Sequence, residues 1–205
     1  MVSNGVADEM VAKFDEMANG RSLVREMTAD EPLKMIWNSR VSNEKRIMPF
    51  LQAIAEMSSS VLVSVFGNGN ALKKARRYVA KHNLNVKFYG MVPHEEILKQ
   101  MLAQHLSVTV SYGFDTQGLT LLEAEATGLP VFFVDPDMKE VVPEGGFIFS
   151  RPEVVDMARV MDGAYANSEK IMEMSKVMLA HRHEVLQSTQ IKKLVKIYTS
   201  LKSQR

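Results

Sequence analysis

Two carboxylates, Asp115 and Glu123, stand eight positions apart on either side of Gly118. Apolar runs at 106–110 and 131–134 flank this stretch, and each run predicts a short buried strand. Between the runs, apolar residues recur at helical spacing. A glycine lets a ligand approach the backbone, and the unpaired amides of a first helical turn attract anions. The stretch is therefore a candidate site for an anionic ligand.

Two cations, Arg40 and Lys45, lie five positions apart after another strand candidate at 33–37. A bound diphosphate needs positive charge and several hydrogen-bond donors, because its oxygens lose water on binding. As isolated charges, these two side chains are more typical of a solvated surface than of a phosphate site. Their role therefore depends on whether the fold brings them to the carboxylates.

The apolar pattern predicts an α/β fold with a doubly wound parallel sheet of about six strands, helices on both faces and a helical C-terminus. We find no linker or internal repeat, and we predict one domain over 1–205. The predicted strands are 33–37, 61–66, 86–89, 107–111, 130–134 and 146–149. The helical patterns are 7–17, 47–57, 71–81, 94–103, the stretch from 119, and 154–166, 168–185 and 191–201.

In the common doubly wound order, the first and fourth strands are neighbours at the topological switch point, where ligands bind at the carboxyl ends of the strands. The first strand leads into the loop with Arg40 and Lys45, and the fourth leads into the loop with Asp115 and Gly118. Topology alone therefore predicts that these two polar loops meet in one crevice.

The composition and charge of the chain give no support to some classes of partner. The formal net charge of +1 gives no argument for a nucleic-acid partner, and no apolar run approaches the length of a membrane span, so membrane association is not indicated. The chain contains no cysteine, which excludes disulfides and thiolate chemistry and favours a cytoplasmic location.

The central stretch resembles a known signature. An acidic residue, seven positions, a glutamate and then Ala-x-Ala-x-Gly-x-Pro is similar to the motif of retaining GT-B glycosyltransferases of the family 4 type, although Asp115 stands where glutamate is usual. Arg40 and Lys45 resemble the Arg and Lys that hold the donor diphosphate in that family, with Ser39 and Arg46 in place of two glycines.

The resemblance covers nearly the whole chain and implies a Rossmann-like domain that binds a nucleotide-sugar, with a uridine diphosphate sugar as the expected donor. Arg40 and Lys45 would stabilise the leaving diphosphate, Asp115 would hold the donor sugar, and Glu123 would bind the ribose hydroxyls. The implied nucleotide-binding residues are Gly67, Met91, Gln117, Gly118, Leu119, Thr120 and Glu123.

The resemblance also implies that no cofactor and no metal is required. Asp135-Pro136-Asp137 has the form of a metal-binding Asp-x-Asp, but its proline predicts a turn. Glu140 matches a glutamate of the family's loop at this point. Residues 1–6 contain an Asn-Gly-Val that resembles the interdomain hinge, so we expect this chain to be the C-terminal half of a GT-B enzyme without its N-terminal acceptor-binding domain, and inactive in transfer by itself.

The sequence also allows a structural interpretation of two motifs and a non-catalytic function. The Asn-Gly near the start and the Gly67-Asn68-Gly69 segment are also typical of ordinary turns. The departures at Ser39, Arg46 and Asp115 would suit a non-catalytic GT-B-like module that binds or supports a partner.

Overall fold

A computed structural model describes residues 4–28, 30–115 and 117–202. Within these residues, six strands alternate with helices along the chain. The strands are β1 (Leu33–Asn38), β2 (Val61–Phe66), β3 (Val86–Gly90), β4 (Leu106–Thr109), β5 (Val131–Phe133) and β6 (Phe147–Phe149). The helices are α1 (Asp8–Ala18), α2 (Ile47–Glu56), α3 (Leu72–Lys81), α4 (His94–Met101), α5 (Leu119–Ala126), α6 (Val154–Tyr165), α7 (Ser168–His181) and α8 (Gln187–Lys202), with 3-10 turns at Pro136–Glu140 and Arg182–Val185.

The strands form one parallel sheet in the order β3-β2-β1-β4-β5-β6. The reversal of order lies between β1 and β4, where Met35 pairs with Leu106 and Ile36 with Ser107. This is the doubly wound topology predicted from the alternating pattern. The carboxyl ends of the two strands therefore bring the β1–α2 and β4–α5 loops side by side.

Alternation along the strands divides the core into two layers. On β1, Met35 and Trp37 pack on one face with α2, α3 and α6, while Ile36 packs on the other face with α1, α4, α5 and α7. Trp37 stacks on Phe50 of α2 with ring centroids 5.5 Å apart. Both faces are thus covered, which is why the strands consist of nearly continuous apolar runs.

Several predicted boundaries change in the structure. β4 ends at Thr109 rather than at 111, since its ladder partner β5 is only three residues long. β5 begins after Pro130, which contributes its carbonyl to Ser107 and has no N–H for the ladder. No described helix is both long and apolar enough to cross a membrane.

The largest correction concerns the C-terminal helices. The predicted helix 168–185 ends at His181, and a 3-10 turn follows that buries Val185. The last helix begins at Gln187 instead of 191, because Asp8 of α1 accepts hydrogen bonds from the backbone N–H and the hydroxyl of Ser188 at 3.0 and 2.5 Å. This cap comes from 180 positions away and has no local sequence signal.

Candidate functional site

Lys45 and Asp115 form the central ion pair of the crevice. The Nζ of Lys45 lies 2.5 Å from Oδ1 of Asp115, and 5.1 Å from the ring centroid of Phe114. Only 15% of the lysine side chain and 16% of the aspartate side chain are exposed. At this burial the pair is screened less by solvent than a surface pair, so its attraction is larger. The predicted meeting of the two loops therefore takes place through these two charges.

An open cavity of about 430 Å³ lies beside this pair. Six of the residues predicted for the site line it, together with four polar or aromatic neighbours. The lining residues are Asn4, Ser39, Lys45, Thr109, Phe114, Asp115, Gln117, Gly118, Leu119 and Thr120.

The amino end of α5 forms one wall of the cavity. Gly118 stands at its N-cap position with φ +57° and ψ +82°, in a left-handed conformation that favours glycine. The first N–H groups of a helix have no partner within the helix, and together with the helix dipole they attract an anion. The cavity thus presents a lysine ammonium and a helix N-terminus together, which suits a phosphate group.

Glu123 lies one turn further along α5 and forms a second polar cluster. One of its oxygens accepts a hydrogen bond from Nδ2 of Asn38 at 3.3 Å, and the other lies 3.0 Å from Nε2 of His94. Burial raises the pKa of Glu123, while the nearby His94 lowers it. Residues of α4 and β1 thus both contact this carboxyl group. Glu123 therefore lies on the side of the crevice where the sequence predicts the nucleotide.

Arg40 is placed differently from Lys45. Its side chain is 65% exposed, and its Nη1 lies 3.6 Å from Oε1 of Glu44 in the same loop. Arg40 does not line the cavity that contains Lys45 and Asp115. The structure therefore locates Arg40 at the rim of the crevice.

Packing of two neighbouring loops favours glycine at Gly67 and at Gly69, in addition to any ligand contact. A Cβ at Gly67, where φ is +122°, would lie 2.2 Å from the carbonyl oxygen of Ser39, and one at Gly69 would lie 2.4 Å from that of Val41. Both glycines thus allow the β2–α3 loop to press against the β1–α2 loop. Met91 follows β3 at the same edge and is 81% exposed.

The loop after β1 accommodates its two departures from the glycosyltransferase pattern. Arg46 adopts a left-handed conformation at φ +59°, at the position where the pattern has glycine, and its Nη2 donates to the carbonyl of Pro152 at 2.5 Å. Ser39 contributes its backbone to the contact with Gly67. A turn suited to glycine is thus retained with an arginine in it.

The Asp135-Pro136-Asp137 segment forms a turn, as its proline predicts. The buried carboxylate of Asp135 accepts hydrogen bonds from the backbone N–H of Gly113 at 2.7 Å and of Asp137 at 3.1 Å. Glu140 is exposed at the end of the following 3-10 turn. Across residues 4–28, 30–115 and 117–202, no group of three or more His, Asp or Glu side chains is arranged to hold a metal ion.

A family model described as "Glycosyl transferases group 1" matches residues 24–178. The chain belongs to this family. The match includes both crevice loops and the whole sheet. No curated protein matches the chain in sequence.

Several solved structures share the fold of this group 1 domain. Anabaena Alr3699/HepE in complex with UDP-glucose is 18% identical, with a TM-score of 0.77 over 97% of this chain and 57% of that chain. Sucrose-phosphate synthase from Thermosynechococcus elongatus is 20% identical, with a TM-score of 0.75 over 100% of this chain and 53% of that one. The catalytic domain of cholesterol-alpha-glucosyltransferase from Helicobacter pylori is 19% identical, with a TM-score of 0.66 over 75% of this chain and 99% of that chain. This chain therefore spans a little over half the length of Anabaena Alr3699/HepE and of the sucrose-phosphate synthase.

Sequence analysis missed several residues that complete the site of the group 1 domain. Asn38 and His94 hold Glu123, Phe114 lies beside Lys45, and the backbone N–H of Asn4 donates to Oε1 of Gln117 at 3.1 Å. Asn38 carried a signal, since it is a polar residue directly after an apolar strand at the switch point. Of the predicted hinge at 1–6, residues 1–3 lie outside the described residues, and Val6 bridges to Leu186.

Proposed function

We propose that this domain binds the nucleotide-sugar donor of a retaining hexosyltransferase, with a uridine diphosphate sugar as the donor. The observation that carries the proposal is the shared cavity, where Lys45, Asp115 and the amino end of α5 come together from two loops. This arrangement supplies positive charge, hydrogen-bond donors and a carboxylate acceptor within a partly buried space.

The diphosphate would occupy the place between Lys45 and the first turn of α5. To bind it, Lys45 exchanges the carboxylate of Asp115 for a phosphate oxygen, and Asp115 becomes free to accept hydrogen bonds from the sugar hydroxyls. During transfer, negative charge grows on the leaving diphosphate, and the ammonium group and helix dipole stabilise it. Arg40 at the rim would add to this charge stabilisation by leaving Glu44.

The nucleoside would lie on the side of Glu123. A carboxylate with two oxygens can accept hydrogen bonds from both hydroxyls of a ribose, and Asn38 and His94 hold this carboxylate in place. The backbone after Gly90, at Met91, would contact the base, and Gly67 would allow close approach beside it. We propose that no metal and no further cofactor takes part.

Two findings from relatives support the choice of donor and the need for a further domain. Anabaena Alr3699/HepE is described in complex with UDP and with UDP-glucose. Because this chain spans about half of that protein, we propose that the acceptor contacts come from a separate N-terminal domain, and that this domain alone does not glycosylate an acceptor.

A second candidate function is a non-catalytic module of the same fold. The observation in its favour is the pairing of the site's cations, since Lys45 contacts Asp115 and Arg40 contacts Glu44. If these pairs do not open for a diphosphate, the crevice is structural. Nucleotide affinity distinguishes the two functions.

Calorimetric titration with UDP and UDP-glucose in the presence of a chelator tests the proposal. Lys45→Ala should weaken both ligands by about 1–3 kcal/mol, or roughly 5- to 150-fold, the range for a charge-assisted hydrogen bond. Asp115→Ala should weaken only UDP-glucose and keep or improve UDP binding, because Lys45 is then no longer paired. Asp115→Glu should keep UDP-glucose binding.

The exposed acid Asp137, outside the cavity, provides the control, and Asp137→Ala should leave both affinities unchanged. Absence of UDP binding at millimolar concentration would support the non-catalytic module. Robust sugar transfer by this chain alone would contradict the need for a second domain.

A further inference from the structure

One segment of the chain, residues 57–94, has only positive formal charges. Between Glu56 and Glu95 the sequence contains six lysine and arginine residues and no aspartate or glutamate, although Lys and Arg nearly balance Asp and Glu over the whole chain, at 25 to 24. The rest of the chain therefore has an excess of acids. Five of them lie on α3, and we call these five the α3 basic surface: Lys73, Lys74, Arg76, Arg77 and Lys81. The sixth, Lys87, lies on β3.

The six side chains are all exposed, and within the described residues none of them forms a salt bridge. Two arginines elsewhere are paired, Arg159 with Asp156 at 2.8 Å and Arg182 with Asp15 at 2.9 Å. Like charges three and four positions apart on a helix repel one another. The α3 basic surface thus retains a repulsion that a negatively charged partner would relieve.

The position of α3 leaves these cations accessible. Its inner side packs on the core through buried Ala75 and half-buried Leu72 and Val79. Four of the cations therefore occupy the outer side, Lys73, Lys74, Arg77 and Lys81, while Arg76 lies against Phe88. Among the described strands, β3 lies at the edge of the sheet and pairs with β2 alone. A ten-residue helix is about 15 Å long, which gives a convex basic surface along this edge.

We propose that the α3 basic surface binds the anionic headgroup surface of a lipid bilayer. A bilayer contacts the protein on one side only, so it stays away from the acidic residues elsewhere on the protein. An extended polyanion would follow the protein surface and would also contact those acidic residues. Binding of single-stranded nucleic acid uses exposed aromatic rings between the cations, and Tyr78 of α3 is half-buried and stacked on His82. The exposed Tyr89 of β3 stacks on Phe66, on the other face of the sheet from α3. Clusters of four to eight Lys or Arg on a surface helix are typical of binding to anionic lipid.

Bilayer binding at this edge would have a consequence for the crevice. The backbone N–H of Ala71, at the start of α3, donates to the carbonyl of Val41 in the β1–α2 loop at 3.0 Å. That loop also carries Lys45. The bilayer would therefore lie near the loop that we assign to the donor, but binding to lipid does not depend on that assignment.

Co-sedimentation of the full chain with vesicles tests the proposal. The chain should bind vesicles with about 30% phosphatidylglycerol in phosphatidylcholine at about 0.1 M salt, bind pure phosphatidylcholine at least tenfold more weakly, and dissociate at about 0.5 M salt. The variant Lys73→Gln/Lys74→Gln/Arg77→Gln/Lys81→Gln should bind the anionic vesicles about 10- to 100-fold more weakly. It retains Arg76, which lies 5.7 Å from the ring centroid of Phe88.

A matched control variant removes an equal number of positive charges from other exposed positions: Lys13→Gln/Lys170→Gln/Lys176→Gln/Lys196→Gln. Its vesicle binding should stay within about threefold of the original, and circular dichroism should show both variants folded. Absence of binding to anionic vesicles, or equal losses in both variants, would overturn the proposal. It would also be overturned if the α3 variant lost affinity for a labelled nucleic acid but not for vesicles.

Discussion

The two sides of helix α5 present two glutamates in contrasting environments. Glu123 faces the crevice, where Asn38 and His94 contact its two oxygens. Glu125, two positions later, is 3% exposed, and its Oε2 has no hydrogen-bond partner in the described part of the chain. It borders a small pocket of about 170 Å³ on the side of α8.

Their pKa values show the same contrast. Burial raises the pKa of both carboxyl groups, but His94 opposes the rise at Glu123. At Glu125 the carboxylate of Glu184 adds to burial, while Lys193 opposes it only in part, and the pKa rises to about 8. The two carboxyl groups thus differ because His94 lies beside Glu123, whereas the like charge of Glu184 lies near Glu125. We expect Glu123 to serve ligand binding and Glu125 to affect stability.

The largest expected effect concerns the stability contributed by Glu125. A carboxyl group whose folded pKa is raised stabilises the fold fully below its unfolded pKa, and this contribution is lost as the pH rises through the folded pKa. Relative to Glu125→Gln, the unchanged chain should lose about 2–4 kcal/mol of unfolding free energy between pH 4.5 and about pH 8. Urea unfolding at the two pH values measures this difference.

Glu169→Gln, at an exposed position on α7, is the control for that measurement and should show no such pH dependence. If the difference in unfolding free energy between Glu125→Gln and the unchanged chain did not change with pH, Glu125 would be solvated or would have a partner. The contrast with Glu123 would then disappear.

The next effect concerns nucleotide binding. Glu123→Gln should weaken UDP by about 1–2 kcal/mol, or roughly 5- to 30-fold, since the ribose hydroxyls lose a charged acceptor. Glu125→Gln should leave UDP affinity within about twofold, because its side chain faces α8 rather than the crevice. Titration of both variants with UDP gives the comparison, and equal losses would show that the two sides of α5 do not differ in function.

The smallest effect concerns His94. Its ring is half-exposed, so His94→Ala should weaken UDP binding by no more than about 1 kcal/mol. It should also raise the pKa of Glu123 further, because His94 is the group that lowers it. UDP affinity should fall as the pH decreases and Glu123 becomes protonated, and in His94→Ala this fall should begin at a higher pH. An unchanged pH profile would indicate that His94 does not act on Glu123.

Much of the fold followed from local patterns. Six apolar runs separated by helical patterns predicted the parallel sheet, and strand order then predicted that the loops with Lys45 and Asp115 would meet. The structure confirms the sheet order and brings these two side chains together. The function of each site residue stays a prediction, because the solved structures described above share the fold with this chain but are at most 20% identical to it.

The sequence by itself determined the elements and the crevice, because apolar periodicity, glycine and proline act over a few neighbouring residues. Only the tertiary structure decided the environment of each charge. It placed Arg40 at the rim beside Glu44, buried Glu125 near Glu184, and began α8 at the distant cap provided by Asp8. Burial and ion pairing depend on which elements pack together, and residues far apart in the sequence decide that packing.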